Sequence, residues 1–230
     1  MSSLLLTCEH GGNSHPVWLD PAFKGHEDVL KSHRGYDIGA LDLFNALAPL
    51  AMASMGNVLS RLCIEFNRSE NHPRLFSEFT KNLPAERKQE LLGQYRNYRD
   101  AVEKLVKDRI RSGGEVVHVA VHSFTPVLDG KKRTMDAGLL YDPSRAAEKT
   151  FCAAWRKAIL QERPELRVRM NQPYKGISDG FPTALRRKFP KHYIGVELEV
   201  NQRFAPGNRM DPGMLLVMRS SLAAVLEGGW

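Results

Sequence analysis

Short runs of aliphatic and β-branched residues alternate along this chain with longer stretches of helical periodicity, and no other feature narrows its fold as far. Strands separated by helical crossovers pair in parallel, and the helices then cover both faces of the sheet. Residues 3–8, 58–66, 115–122, 166–170 and 193–200 read as strands, with EVVHVAVH (115–122) the clearest of them. Helical periodicity runs through 37–53, with Ile38, Leu41, Phe44, Ala48 and Met52 on one side and Pro49 placed to kink or shorten the helix. A long amphipathic helix spans 84–112 and stops at Gly113-Gly114; others run from Pro143-Ser144 to 162, over 181–188, and over 213–226 after Asp211-Pro212. No repeat, linker or low-complexity stretch interrupts the 230 residues, and 42% hydrophobic with 26% charged residues is the balance of an ordinary globular chain. The expectation is one domain over 1–230, a three-layer α/β/α arrangement around a mostly parallel mixed sheet.

The formal charge is +7, but Lys and Arg are scattered among acidic residues. Clusters such as Lys131-Lys132-Arg133 and Arg186-Arg187-Lys188 form no long stripe, and no RNA- or DNA-binding motif accompanies them. No nucleic-acid partner is expected; a small anionic substrate drawn in by a positive field is. The longest apolar stretch, 38–55, contains Asp42, Asn45 and Pro49 and is too polar for a bilayer span, so no membrane association is expected either. The start, MSSLLLTCEH, has no basic n-region and too short an apolar run for a signal peptide, and Cys8, Cys63 and Cys152 are odd in number and isolated. Both point to a cytoplasmic protein with free thiols, acting as a monomer or small homo-oligomer.

In open α/β sheets, ligand sites form beyond the carboxyl ends of the strands. Four of the expected strands end in or carry polar residues: Glu9-His10, Glu65-Phe66-Asn67-Arg68, His122-Ser123, and Glu197 with Glu199. Two imidazoles and a carboxylate with an open fourth position make a hydrolytic zinc site, and a separate carboxylate then serves as general base. One histidine at a strand end is ordinarily just a hydrogen-bonded residue, and Asn67-Arg68 would serve equally to cap a loop or to pair with Glu70. Glu197 is different, because a carboxylate inside the apolar run Ile194-Gly195-Val196-Glu197-Leu198 needs a partner or a job. The Gly11-Gly12 pair allows backbone to pass close to such a centre.

At these residues the chain resembles the N-formylglutamate amidohydrolase family and, more distantly, the zinc carboxypeptidases. The matching segments are EHGGN (9–13), HRGYDIGA (33–40), SRLCIEFNR (60–68), HSFTPVLDGKKR (122–133), GLLYD (138–142), NQPYKGISDG (171–180) and GVELEVNQ (195–202), in the family's order and spanning nearly the whole chain. The resemblance implies a phosphorylase/hydrolase-like fold of the zinc-carboxypeptidase kind and hydrolysis of a linear amide bond in a small N-acyl amino acid. It implies Zn2+ as the cofactor, with Co2+ or Mn2+ as alternatives, and His10 and His122 as ligands. Asn67-Arg68 would grip a substrate carboxylate, a task suited to the planar guanidinium fork. Asp37 and Ser123 would contact substrate, Glu197 would activate water, and Arg34 or Arg133 would polarise the carbonyl or hold a second carboxylate.

Two positions depart from the pattern. Zinc carboxypeptidases carry a glutamate ligand three residues after the first histidine, and Asn13 stands there instead. Glu9 is the favoured third ligand, with Asn13 and Asp37 as alternatives. Glu199 stands where the family usually has an arginine, which opens the substrate to N-acyl amino acids other than formylglutamate. Rival readings are a zinc carboxypeptidase or cell-wall amidase, and a catalytically inactive binding relative, the latter suggested by the missing glutamate.

Overall fold

A computed structural model describes residues 2–230. In chain order it contains β1 (Ser2–Cys8), the short helices α1 (Asp20–Phe23) and α2 (Glu27–Leu30), α3 (Ala40–Leu47), β2 (Ala53–Gly56), and α4 (Ala85–Arg111). Then follow β3 (Glu115–Phe124), a small hairpin of β4 (Val127–Leu128) and β5 (Lys131–Lys132), β6 (Ala137–Leu140), α5 (Ala146–Glu162), β7 (Val168–Met170), α6 (Phe181–Lys188), β8 (Tyr193–Asn201) and α7 (Pro212–Gly228). Six strands form one sheet in the order β2-β1-β3-β8-β6-β7. The first four run parallel; β6 reverses against β8, and β7 follows β6. The sheet is therefore mixed and mostly parallel, as expected.

Side chains alternate across this sheet, and both faces are covered. Leu4, Leu6, Cys8, Val117, Val119, Val121, Ile194, Val196 and Leu198 point to one face, where residues of α3, α5 and α7 close the larger core. Leu5, Val116 and Tyr193 point to the other, under Val102 and Val106 of α4 and Phe181 and Leu185 of α6. Each such fully buried aliphatic or aromatic side chain contributes roughly 1.5–3 kcal/mol relative to exposure, so this patterning dictates the layering. The α7 start follows the expected signal: the Asp211 side chain accepts from Met214 N–H at 2.9 Å, with Pro212 in the first turn.

Two expected elements differ. The helix expected over 37–53 runs only from Ala40 to Leu47, because Pro49 turns the chain through a 3-10 segment, Ala48–Leu50. Met52 N–H then donates to Leu4 O at 2.9 Å, and the chain joins the sheet as β2. The strand expected over 58–66 is instead a loop of turns, making one isolated bridge, Ser14 to Leu59. Its apolar residues Leu59, Leu62, Cys63, Ile64 and Phe66 pack in a satellite core with Leu19, Phe23, Leu30, Leu75, Leu91 and Tyr95. An apolar run records burial without recording which partner buries it, and here the partner is not the sheet. The glycines at 11 and 12 serve that loop: a Cβ at Gly12 would lie 2.7 Å from Val58 O, and one at Gly11 2.9 Å from Asn57 O.

Candidate active site

His10 lies two residues past the end of β1, His122 lies near the end of β3, and Glu197 and Glu199 lie in β8, so three adjacent parallel strands deliver their carboxyl ends to one rim. The loop before α3 brings Asp37, whose N–H donates to His10 O at 2.9 Å. The turns after β2 bring Arg61, Glu65, Asn67 and Arg68. Together with Arg74, Ser123, the 174–180 loop and these strand ends, they line a cleft of about 390 Å³.

At its floor, Asp37 Oδ2 lies 2.9 Å from His122 Nδ1 and 3.3 Å from His10 Nδ1. All three residues are buried, and one ligand atom from each falls within 4.8 Å of the others. Ligands held tetrahedrally at about 2.0–2.2 Å from one zinc lie roughly 3.3–3.6 Å apart, so three donor atoms within 4.8 Å of one another are close enough to share one ion. Each imidazole turns its other nitrogen to a second carboxylate: His122 Nε2 lies 3.1 Å from Glu9 Oε2, and His10 Nε2 contacts Glu65. A carboxylate on the far nitrogen fixes the tautomer that leaves Nδ1 free as a ligand. Arg61 ties the assembly together, with Nη1 3.2 Å from Asp37 Oδ1 and Nη2 2.6 Å from Glu65 Oε2. That leaves Asp37 Oδ2 facing the two imidazoles.

Glu9, Asp37, Glu65, Glu197 and Glu199 thus gather around Arg61 and the two imidazoles, a set of carboxylate oxygens and ring nitrogens of the kind that holds a divalent cation. Their ionisation reflects this field. Burial alone would lower His122, but the Asp37 and Glu9 carboxylates, as hydrogen-bond acceptors and as charges, hold it well above the usual imidazole range. His10 is likewise raised: burial and Arg61 oppose protonation, and Glu65 and Asp37 overcome them. Burial pushes Glu9, Asp37 and Glu65 up, yet the histidines and Arg61 hold all three below the carboxylate range, Glu9 at about 2. Glu199 goes the other way: burial, with Asp37 and Glu197 nearby, raises it to about 8. Burial also raises Glu197, which accepts from Asn67 Nδ2 at 3.5 Å across the cleft. Gly180 makes room for that contact, since a Cβ there would lie 2.8 Å from Glu197 Oε1.

The cleft brings together His10, His122, Asp37, Asn67, Arg68, Ser123 and Glu197. It leaves four other expected residues outside its lining. Glu9 sits beneath the floor, fully buried behind His122, with Tyr98 OH donating to it at 3.2 Å. Asn13 Nδ2 donates to Leu30 O at 3.1 Å, because the chain after Gly12 has already turned along 57–60. Arg34 is half-exposed and paired with Glu78. Arg133 Nη1 donates to Tyr174 OH at 3.1 Å and lies over the Tyr174 ring, so it meets the cleft only through that side chain. Arg61 enters the site unannounced by the sequence, paired with Glu65, which the sequence placed among the polar residues of the rim without a role. Their i, i+4 spacing is the signal, but it brings side chains together only on a helical turn, and the segment reads as a strand.

The fold is a mostly parallel α/β sheet with a polar cleft at the carboxyl ends of its strands. The chain belongs to the N-formylglutamate amidohydrolase family, whose family model matches residues 2–205. Among solved structures, a gene product of Agrobacterium tumefaciens is 24% identical, with a TM-score of 0.78 over 98% of this chain and 92% of that one. An N-formylglutamate amidohydrolase from Ralstonia eutropha JMP134 is 15% identical, with a TM-score of 0.70 over 97% and 91% of the two chains. At these identities the likeness concerns the fold. A search of curated proteins finds no match for this chain.

Proposed function

We propose that this protein is a metal-dependent amidohydrolase that deacylates an N-acyl amino acid, N-formylglutamate being the first substrate to test. The observation that carries the reading is Asp37 Oδ2 set between two imidazole Nδ1 atoms, with the Glu197 carboxylate on the same cleft. His10, Asp37 and His122 would hold the ion, with Zn2+ favoured by the two nitrogens and one carboxylate, and Co2+ or Mn2+ as alternatives. When bound, the ion supplies Lewis acidity for water and for the acyl carbonyl.

The chain's own residues do the rest. Arg68 and Asn67 bind the substrate α-carboxylate, and Ser123 lines the same cleft. Arg74 and Lys175 also line the cleft with no ionic partner among the described residues, which suits an anionic substrate. Glu197 takes a proton from the attacking water as the new carbon–oxygen bond forms. It then returns that proton to the amine nitrogen as the carbon–nitrogen bond breaks, leaving a carboxylate and a free amino acid. A carboxyl group whose pKa burial raises above the ordinary carboxylate range is suited to both transfers. Asp37 supplies the carboxylate that the glutamate missing at position 13 would have provided, which favours the active enzyme over an inactive binding relative. Three buried free thiols agree with a cytoplasmic setting, and no helix among the described residues is long and apolar enough to cross a membrane.

The test is a panel of N-formyl and N-acetyl amino acids assayed for amine release with added Zn2+, Co2+ or Mn2+. Turnover of at least one acidic N-acyl amino acid supports the reading; none across the panel, by metal-loaded protein, overturns it.

A further inference from the structure

Asn67 and Arg68 stand on a stretch without helix or strand, so something else must hold them at the fixed geometry that carboxylate recognition needs. The structure supplies a brace from α4. Arg99, half-buried and outside the cleft lining, donates from Nη1 to the carbonyls on both sides of Asn67: Phe66 O at 2.9 Å and Arg68 O at 3.3 Å. Tyr95, one turn earlier, donates its hydroxyl to the same Arg68 carbonyl at 2.7 Å. The guanidinium lies over two rings, 4.1 Å from the centroid of Phe181 and 5.1 Å from that of Tyr95. Phe181 in turn donates its N–H to Asn67 Oδ1 at 2.7 Å.

We infer that Arg99 is a positioning residue for substrate recognition, fixing the Asn67-Arg68 peptide through the flanking carbonyls while itself touching neither substrate nor metal ligands. Two features single it out from an ordinary surface arginine. It has no carboxylate partner among the described residues; its charge is spent on main-chain carbonyls and on aromatic faces, an arrangement a flexible ammonium cannot reproduce. Its contacts also converge on the Asn67-Arg68 dipeptide, both of whose residues line the cleft, from a helix anchored in the core by Val102 and Val106. Arg96, three residues earlier on α4, shows the contrast: it pairs with Glu70 at the surface and reaches no carbonyl of the loop.

For its kinetic readout the inference rests on the proposed deacylase activity, and amide exchange gives a readout that does not. Arg99→Met, Arg99→Lys and Arg96→Met are compared with wild type in the metal-loaded full chain. Expected for Arg99→Met is a KM raised roughly tenfold or more with kcat changed far less, unchanged metal content, and faster hydrogen exchange at Asn67, Arg68 and Ser69. Arg99→Lys should recover part of the KM, and Arg96→Met should match wild type. A folded Arg99→Met protein with wild-type KM and wild-type exchange at 67–69 overturns the inference, as does lower thermal stability with neither KM nor loop exchange altered. Wild-type protein that turns over no N-acyl amino acid defeats the proposed function alone, and the exchange comparison still decides whether Arg99 braces the loop.

Discussion

The carboxylate of Glu9 approaches Nε2 of His122 to 3.1 Å, on the opposite side of the ring from Asp37. Adjacent residues of a strand point to opposite faces, and β1 ends at Cys8, so Glu9 continues the sheet face beneath α4 while His10 turns into the cleft. A carboxylate so placed would act on an ion held in the cleft only through His122, as a charge 3.1 Å from Nε2. Glu9→Gln keeps the shape and removes the charge, so metal affinity should fall about ten- to a hundredfold with the fold retained. Competition with a chromogenic chelator measures it; unchanged affinity would remove Glu9 from the site.

Asp37 and Glu197 should separate cleanly. Asp37→Asn is expected to lose bound metal and activity together. Glu197→Gln should keep its metal and lose about 10²–10⁴-fold in kcat, the usual range for a general acid–base group. Elemental analysis beside steady-state kinetics distinguishes them, and a Glu197→Gln variant with wild-type turnover would show that another group moves the proton.

Arg61 is the one guanidinium paired with both Asp37 and Glu65. Replacing it with Met leaves two largely buried carboxylates without that partner, a loss of about 3–5 kcal/mol in the range of broken buried ion pairs. Chemical denaturation reads this directly; a change under about 1 kcal/mol would mean that the histidines alone compensate the acids.

Glu199 gives a pH signature of defined sign. Its folded-state pKa, about 8, lies above the unfolded value of about 4.3. Its contribution is therefore fully present below about pH 4, and is lost as pH rises to 8, where the buried carboxyl finally ionises. In chelator-treated protein, Glu199→Gln should match wild type near pH 4.5 and exceed it by a few degrees in Tm at pH 8 and above. An equal difference at both pH values would contradict the shift.

Much of this was legible in the residues, and the exceptions share a cause. The long periodic segment behind α4 and the apolar runs behind β3 and β8 announce themselves, because one face or both are buried in regular elements. His10, His122 and Glu197 follow from those strands, since a strand end places its side chain on the rim. The turns at 58–68 and the loop at 33–39 have no period, so nothing local says that Arg61 and Glu65 from one and Asp37 from the other converge on the histidines. β6 hides for a related reason: Ala137, Gly138, Leu139 and Leu140 are all buried, and four residues are too few to show a pattern. Arg34 and Arg133 carry the right chemistry in matching motifs, yet Glu78 and Tyr174 hold them away from the floor of the cleft. Those partners cannot be read from spacing.

The measurement closest to the central claim is the rate of N-acyl amino-acid hydrolysis through removal and return of the metal. Exhaustive chelation should abolish turnover, and about one equivalent of Zn2+, Co2+ or Mn2+ per chain should restore it, with no restoration in Asp37→Asn. Full turnover by protein shown to be metal-free would contradict a metal centre at His10, Asp37 and His122.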